Sequence, residues 1–265
     1  MRSTFFRLSA VVAFLCVVAT SEAFSQDFQK SYRLNAGDSI SVRNVSGDIH
    51  ITGSEGDAVT VNAIKEGRDR EMVEVEDKSS AGRLELGVNY PRECNCDASV
   101  RFEIRVPRGV RFNFGKISTA SGNIQLKGLS GQVKVSTASG DVLVEDVAGE
   151  INASTASGQV SVRNVSGTVS AQSASGDVRV EIARLEGAGD MKFSTASGDV
   201  VVRLPSSLDA NVHLSTMSGK VVTNFPLEVK ERQYGPGSTA EGQLGSGARK
   251  LRISSASGDV SLNSQ

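Results

Sequence analysis

The chain has 265 residues, with 29 Lys and Arg against 30 Asp and Glu, and its formal net charge of −1 argues against a nucleic-acid partner. It has no Trp and only two His, so sugar recognition by stacking and histidine-centred catalysis are both poorly supplied from the outset. Three Cys leave room for one disulfide and none for a Cys-rich zinc site.

At the N-terminus, Arg2 and Arg7 precede an apolar run over 8–18, and small residues follow at Ala23 and Ser25. This is the layout of an export signal, and a cut after Ser25 would leave Gln26 as the new terminus. Cys16 follows Leu15, where a lipoprotein signal needs a small residue, so no lipid anchor is expected. No later apolar run approaches the roughly 18 to 20 residues of a membrane span. The mature chain is therefore expected in the periplasm or at or beyond the cell surface, without a transmembrane segment. Three stretches are expected after the signal peptide of 1–25: N-terminal β-rich coils and cap over 26–115, regular repeats over 116–224, and a polar loop with a closing coil over 225–265. Together, 26–265 would form one continuous domain.

"VRNVSGDIHI" at 42–51 nearly repeats "VRNVSGTVSA" at 162–171, which starts the repeat architecture early, around Gly47. Between 59 and 107, "VTVNAIK", "MVEVED", "RLELGVN" and "SVRFEIRVP" alternate apolar and polar residues and read as longer strands. "PRECNCDAS" places Cys94 and Cys96 two apart. In an oxidising compartment they are a candidate disulfide, provided a tight turn brings their side chains together.

In the centre, a small residue followed by glycine recurs every nine residues, at Gly122, Gly131, Gly140, Gly149, Gly158, Gly167 and Gly176, and returns at Gly198, Gly219 and Gly258. "STASG"-type and "VSG/VAG"-type units alternate, so the full period is eighteen. Two and four places after most of these glycines sit residues such as Val142 and Val144, separated by polar ones, the signature of a strand with one buried face. Two places before, Ala120, Leu129, Ala138, Val147, Ala156, Val165, Ala174 and Ala196 read as a third inward position. Glycine suits the turn because it tolerates positive φ. Strands this short cannot bury a face alone, but stacked coils can. The expected fold is all-β: a parallel β-solenoid with 18-residue coils made of two 9-residue strand-turn units. Antiparallel hairpins are the rival topology. A polar, Gly-rich stretch at 231–249 reads as a long exposed loop.

Chemistry finds few parts. Asp141, Asp177 and Asp199 would share an edge that Asn123 and Gln159 interrupt, which suits a turn position better than paired-carboxylate catalysis. The serines read as turn formers, and no catalytic residue, cofactor or metal site is assigned. Thr119, Thr137, Thr155, Ser173, Thr195, Thr216 and Ser255 fall on the side opposite the alanines and would form an exposed hydroxyl ladder, a candidate interaction edge able in principle to order water.

"GDIHITGSEGDAVTVNAIKEG", the ladder of "STASGDV" copies and "GSGARKLRISSASGDVSL" resemble the bacterial putative-adhesin β-strand repeat family, an exported domain of unknown function. The resemblance spans nearly the whole mature chain and implies a β-solenoid-like fold in the cell envelope. The functional expectation is a non-enzymatic structural or interaction surface, adhesion included, for an envelope or extracellular protein or polysaccharide. The rival class is a β-helix hydrolase or lyase acting on such a polysaccharide.

Overall fold

The structure, a computed structural model, describes residues 28–92, 95–231 and 235–265. The expected signal peptide and Cys94 lie outside the described residues.

Alternating Val, Ile and Leu build the central strands β8 (Arg111–Ser121), β9 (Ile124–Lys127), β10 (Ser130–Ser139), β11 (Val142–Glu145), β12 (Ile151–Ser157), β13 (Val160–Ser166), β14 (Val169–Ser175), β15 (Val178–Arg184), β16 (Met191–Ser197) and β17 (Val200–Leu204). They fall alternately into two sheets, β9-β11-β13-β15-β17 in one and β8-β10-β12-β14-β16 in the other, and every pair is parallel. Equivalent residues pair, Val142 with Ile124 on one side and Val160 on the other, and Val133 with Ile151. Inward columns follow, with Ile124, Val142, Val160, Val178 and Val200 all completely buried. Each such side chain contributes roughly 1.5 to 3 kcal/mol on burial. The largest fully buried side chains are Phe102, Phe114 and Phe193, and Phe114 meets Phe112 edge to face.

The turn glycines set the coil spacing. An added Cβ on Gly140 would lie 2.1 Å from the Gly122 carbonyl oxygen, and the same column runs through Gly47, Gly122, Gly158, Gly176, Gly198, Gly258 and Gly219. A second column joins Gly131, Gly149 and Gly167. Gly131 has been drawn into strand β10, and Gly219 alone of the eleven lacks the positive φ. A third corner escaped the repeat analysis: Gly128, Asp146 and Asn164 share a left-handed conformation, and the Asn164 amide donates to Asp146 at 2.6 Å.

One expectation about the buried face needs correction. Leu129, Val147 and Val165 are buried, but Ala120, Ala138, Ala156, Ala174 and Ala196 are exposed. Counting forward along β10, Val133, Val135 and Thr137 point in, so Ala138 must point out before the chain turns. Counting backward from the glycine assigned the opposite phase.

The flanks are largely antiparallel. β1 (Phe28–Tyr32) pairs with β4 (Val59–Glu66), β4 with β7 (Ser99–Pro107), and β5 (Glu74–Asp77) with β6 (Arg83–Asn89). A single 3-10 turn at Arg70–Met72 precedes β5. At the other end, the segment expected to be a long loop instead contains β21 (Ser238–Leu244), which pairs antiparallel with β18 (Ala210–Ser218) and with β20 (Glu228–Glu231). Ser238, Ala240 and Leu244 are buried, so alternation survives inside a Gly-rich composition.

The chain order is broken twice. β2 (Ser39–Arg43) and β3 (Ile49–Ser54) lie between β6 and β7 on one side and β8 and β9 on the other. The last strands, β22 (Lys250–Ser257) and β23 (Val260–Ser264), insert between β16 and β17 and the pair β18 and β19 (Val221–Thr223). The C-terminal coil was expected to close the stack. It sits inside it, where Met191 pairs with Leu251 and Leu251 with Val212. The described residues thus form sheets of eleven and twelve strands, a parallel-rich, solenoid-like all-β fold.

Candidate interaction face

The hydroxyl ladder expected to be exposed is buried. Thr137 is 6% exposed and Thr216 1%, and Thr119, Thr155, Ser173, Thr195 and Ser255 are equally hidden. Each donates to the carbonyl of a turn glycine in the neighbouring coil: Thr137 to Gly122 at 3.1 Å, Thr155 to Gly140 at 3.0 Å, Ser173 to Gly158 at 3.0 Å and Thr216 to Gly258 at 2.8 Å. Thr119, Thr195 and Ser255 do the same to Gly47, Gly176 and Gly198. A buried carbonyl without a donor costs about 1 to 3 kcal/mol, so the column needs a hydroxyl and accepts Thr or Ser. These residues therefore cannot present an outer edge or order surface water.

The carboxylate column is occupied in a similar way. Asp48, Asn123, Asp141, Asp177, Asp199 and Asp259 each use Oδ1 to accept the backbone N–H of the next coil, for example Gln159 to Asp141 at 2.7 Å. Asn and Asp serve equally because only the oxygen is used. Among the described residues, no group of three or more His, Cys, Asp and Glu is placed to hold a metal ion. Cys96 is in a disulfide and packs against the core, while its expected partner Cys94 lies outside the described residues.

The outward-facing side chains that do line up, Gln172 exposed and the serines half-buried, stand one residue earlier in each repeat. Ser118, Ser136, Ser154, Gln172, Ser194, Ser254 and Ser215 are in register on the outer face of the twelve-stranded sheet. Beside them runs a second column, Lys134, Asn152, Ser170, Lys192, Arg252 and His213, which Lys116 extends on β8. A shallow depression among Gln132, Lys134, Ser136, Asn152, Ser154, Ser170 and Gln172 marks its middle. The signal that would have found these residues was the forward alternation from Val133 through Thr137.

Beside this face the chain bends, and the exposed alanines form a narrow stripe with Val45 (47% exposed) and Met217 (61%) also exposed. The other sheet's outer face differs: Lys127 meets Glu145 at 3.4 Å, and Arg163, Glu181 and Arg203 follow on successive strands. At the N-terminal edge, Lys30 and Tyr32 on β1 reach Asp77 on β5 at 2.6 and 2.9 Å, joining the two sheets. Burial pushes the Asp77 carboxyl up, but hydrogen bonds from Lys30, Ser79 and Tyr32 outweigh it and hold the group well below the usual carboxylate range. Burial, with the hydrogen bond to Asp77, pushes the Tyr32 hydroxyl up. Glu85 bridges Arg43 and Arg83 on the same sheet face as the serines, and its carboxyl is lowered by them against the opposing effect of desolvation.

Residues 30–263 match the family described as Toastrack DUF4097. No curated protein matches the chain. Similar solved structures include a "putative cell adhesion protein" from Clostridium sporogenes ATCC 15579, 12% identical with a TM-score of 0.43, covering 90% of this chain and 99% of that one. A "putative adhesin" from Bacteroides fragilis NCTC 9343 is 13% identical with a TM-score of 0.45 over 89% and 96%. Another "putative adhesin", from Parabacteroides distasonis ATCC 8503, is 14% identical with a TM-score of 0.42 over 88% and 96%. No helix among the described residues is long and apolar enough to cross a membrane, which leaves β-barrels unaddressed.

Proposed function

Because the chain belongs to the Toastrack DUF4097 family, we propose that it acts as a non-enzymatic interaction surface in the bacterial cell envelope, docking its partner on the outer face of the twelve-stranded sheet. The observation that carries this reading is the pair of in-register polar columns across β8, β10, β12, β14, β16, β22 and β18, which contain no apolar side chain. The inward hydroxyls and the turn carboxylates are consumed by backbone bonds, whereas these columns leave their donors and acceptors facing outward. A repeated, rigid face of this kind suits a partner that is itself repetitive or broad. The reading includes the coil unit, two nine-residue strand-turn units, supported by hydrogen bonds that span eighteen positions, as from the Gln132 amide to Glu150 and from the Asp141 backbone N–H to Asn123 Oδ1. It also includes cleavage after Ser25 and a periplasmic or surface location.

Two experiments test it. Protease shaving of intact cells against cells with an opened outer membrane fixes the location, and protection until opening would remove adhesion to outside partners. A glycan and matrix-protein array probed with residues 26–265 and with the Ser136→Trp/Ser154→Trp variant tests the face. Signals lost in the variant but kept in Leu143→Trp, on the opposite sheet, support the proposal. Signals indifferent to bulk on either sheet overturn it.

A further inference from the structure

The charges on the two outer faces obey different rules. On the eleven-stranded sheet the sign alternates from strand to strand through Lys127, Glu145, Arg163, Glu181 and Arg203, so each charge in that column has an opposite one on the next strand. The twelve-stranded face has no such alternation. Its central column from Ser41 to His213 contains no carboxylate, and Lys116, Lys134, Lys192 and Arg252 are all exposed without an ion-pair partner among the described residues. Acids appear only beyond its ends, at Glu85, held by Arg43 and Arg83, and at Glu241, which faces His213 at 2.6 Å. Flanking Glu150 is engaged by Gln132 and Asn152, and Asp190 by the Lys250 amide.

Lys192 and Arg252 are directly opposite each other in the parallel register. Like charges so placed repel, and no ion pair among the described residues offsets them. An anionic ligand would.

We infer that this face takes a linear acidic polysaccharide laid across the strands, its carboxylate or sulfate groups on the Lys116–Arg252 column and its hydroxyls on the adjoining serines and amides. The assignment rests on the proposed use of this face for docking and adds the ligand class. Strands about 4.8 Å apart give a repeat close to the advance of one sugar along an extended chain, so successive residues can meet equivalent donors. The columns contain no Phe, Tyr or Trp, and their one ring, His213, faces Glu241 at the end, so a platform on which successive bases of a single-stranded nucleic acid could stack is missing. Ser, Asn and Gln beside the cations supply both donors and acceptors, which a sugar ring uses and a simple anion does not.

The test measures binding of residues 26–265 to polygalacturonate, dextran sulfate and neutral dextran by biolayer interferometry, in low and 0.5 M salt. Wild-type protein is expected to hold at least one acidic polymer in preference to dextran, and to release it in high salt. Lys192→Gln/Arg252→Gln should weaken that binding roughly fivefold, and adding Lys116→Gln/Lys134→Gln roughly twentyfold, the scale of exposed ion pairs at less than about 1 kcal/mol each. Arg163→Gln/Arg203→Gln, on the other sheet, should leave it unchanged, with circular dichroism showing all variants folded. No preference for either acidic polymer, or equal weakening by the two sheets' variants, overturns the inference. If array partners still depend on Ser136 and Ser154 while acidic polymers are ignored, the ligand class falls and the docking face stands. If nothing depends on the face, both fall.

Discussion

Replacing Gly140 by alanine probes the spacing of the coils directly. Gly140 has φ of 142°, and a Cβ there would sit 2.1 Å from the Gly122 oxygen and 2.6 Å from its carbonyl carbon. Those atoms belong to backbone of the adjacent coil and cannot rotate away. Relief requires the coils to part locally, stretching the bonds from Gly122 N to Ser139 O, Ile124 N to Asp141 O and Asp141 N to Asn123 Oδ1, all 2.9 Å. Backbone strain of about 1 to 3 kcal/mol and three weakened bonds at about 0.5 to 1.5 kcal/mol each suggest a loss of roughly 4 kcal/mol. Gly109 is the internal control: its φ is 82°, but an added Cβ meets nothing within 4 Å, so Gly109→Ala should cost only about 1 kcal/mol. In a chain of this size the two variants should melt roughly 8 to 16 °C and 2 to 4 °C below wild type. Thermal and urea unfolding followed by circular dichroism measure both. Equal losses for the two variants would refute the claim that close coil approach, rather than φ alone, demands glycine.

Thr155→Val should destabilise by about 1 to 3 kcal/mol, because the Gly140 carbonyl loses its donor, while Thr155→Ser should cost under about 1 kcal/mol; urea midpoints read the difference. Ala138→Lys should fall within about 0.5 kcal/mol of wild type, against the phase that the glycine-aligned repeat suggests for it, whereas Val135→Lys should abolish folding; urea unfolding followed by circular dichroism checks both. The Asp77 carboxyl is held low in the folded state, so the stability it supplies is complete above the ordinary carboxylate pKa of about 3.9 and is lost as pH falls through the lower folded value. Protection of the β1 amides, measured relative to their intrinsic exchange rates at each pH, should therefore fall with acidification below about pH 4 in wild type, and Asp77→Asn should flatten that dependence. Deleting 249–265 removes β22 and β23 and bares the edges of β16 and β18 that they covered; the expected outcome is aggregation rather than a shorter soluble stack, checked by size-exclusion chromatography.

The parallel pairing in the centre was legible because Val142, Val160 and Val178 recur in one phase and each short strand needs a neighbour. The sidedness of the "STASG" turn was not. Thr137 and Ala138 are both small, so size does not reveal which is inside; the deciding fact is that the Gly122 carbonyl faces inward and needs a hydroxyl. The candidate face was hidden for the same reason, since Ser136 and Thr137 exchange roles once the phase is set. β21 was obscured by composition, because Gly242 and flanking glycines suggested loop while Ser238 and Ala240 kept alternation. The insertion of β22 beside β16 lies beyond any periodic argument, since "KLRISSASGDV" matches every other copy and could stack on any of them.

The interleaved position of β22 and β23 also bears on how the molecule is made. During synthesis, coils through β17 can stack in the order they emerge, each on its predecessor. β18 and β19 then have no permanent berth, because the surface they finally rest on has yet to be translated. Only when the last strands arrive and slot into the gap does the far end become continuous with the rest. A ribosome that stops before β22 leaves open sheet edges exposed. Arrival of β22 and β23 and closure of the fold are one event, and a chain that fails the first should be conspicuous to proteases through the second.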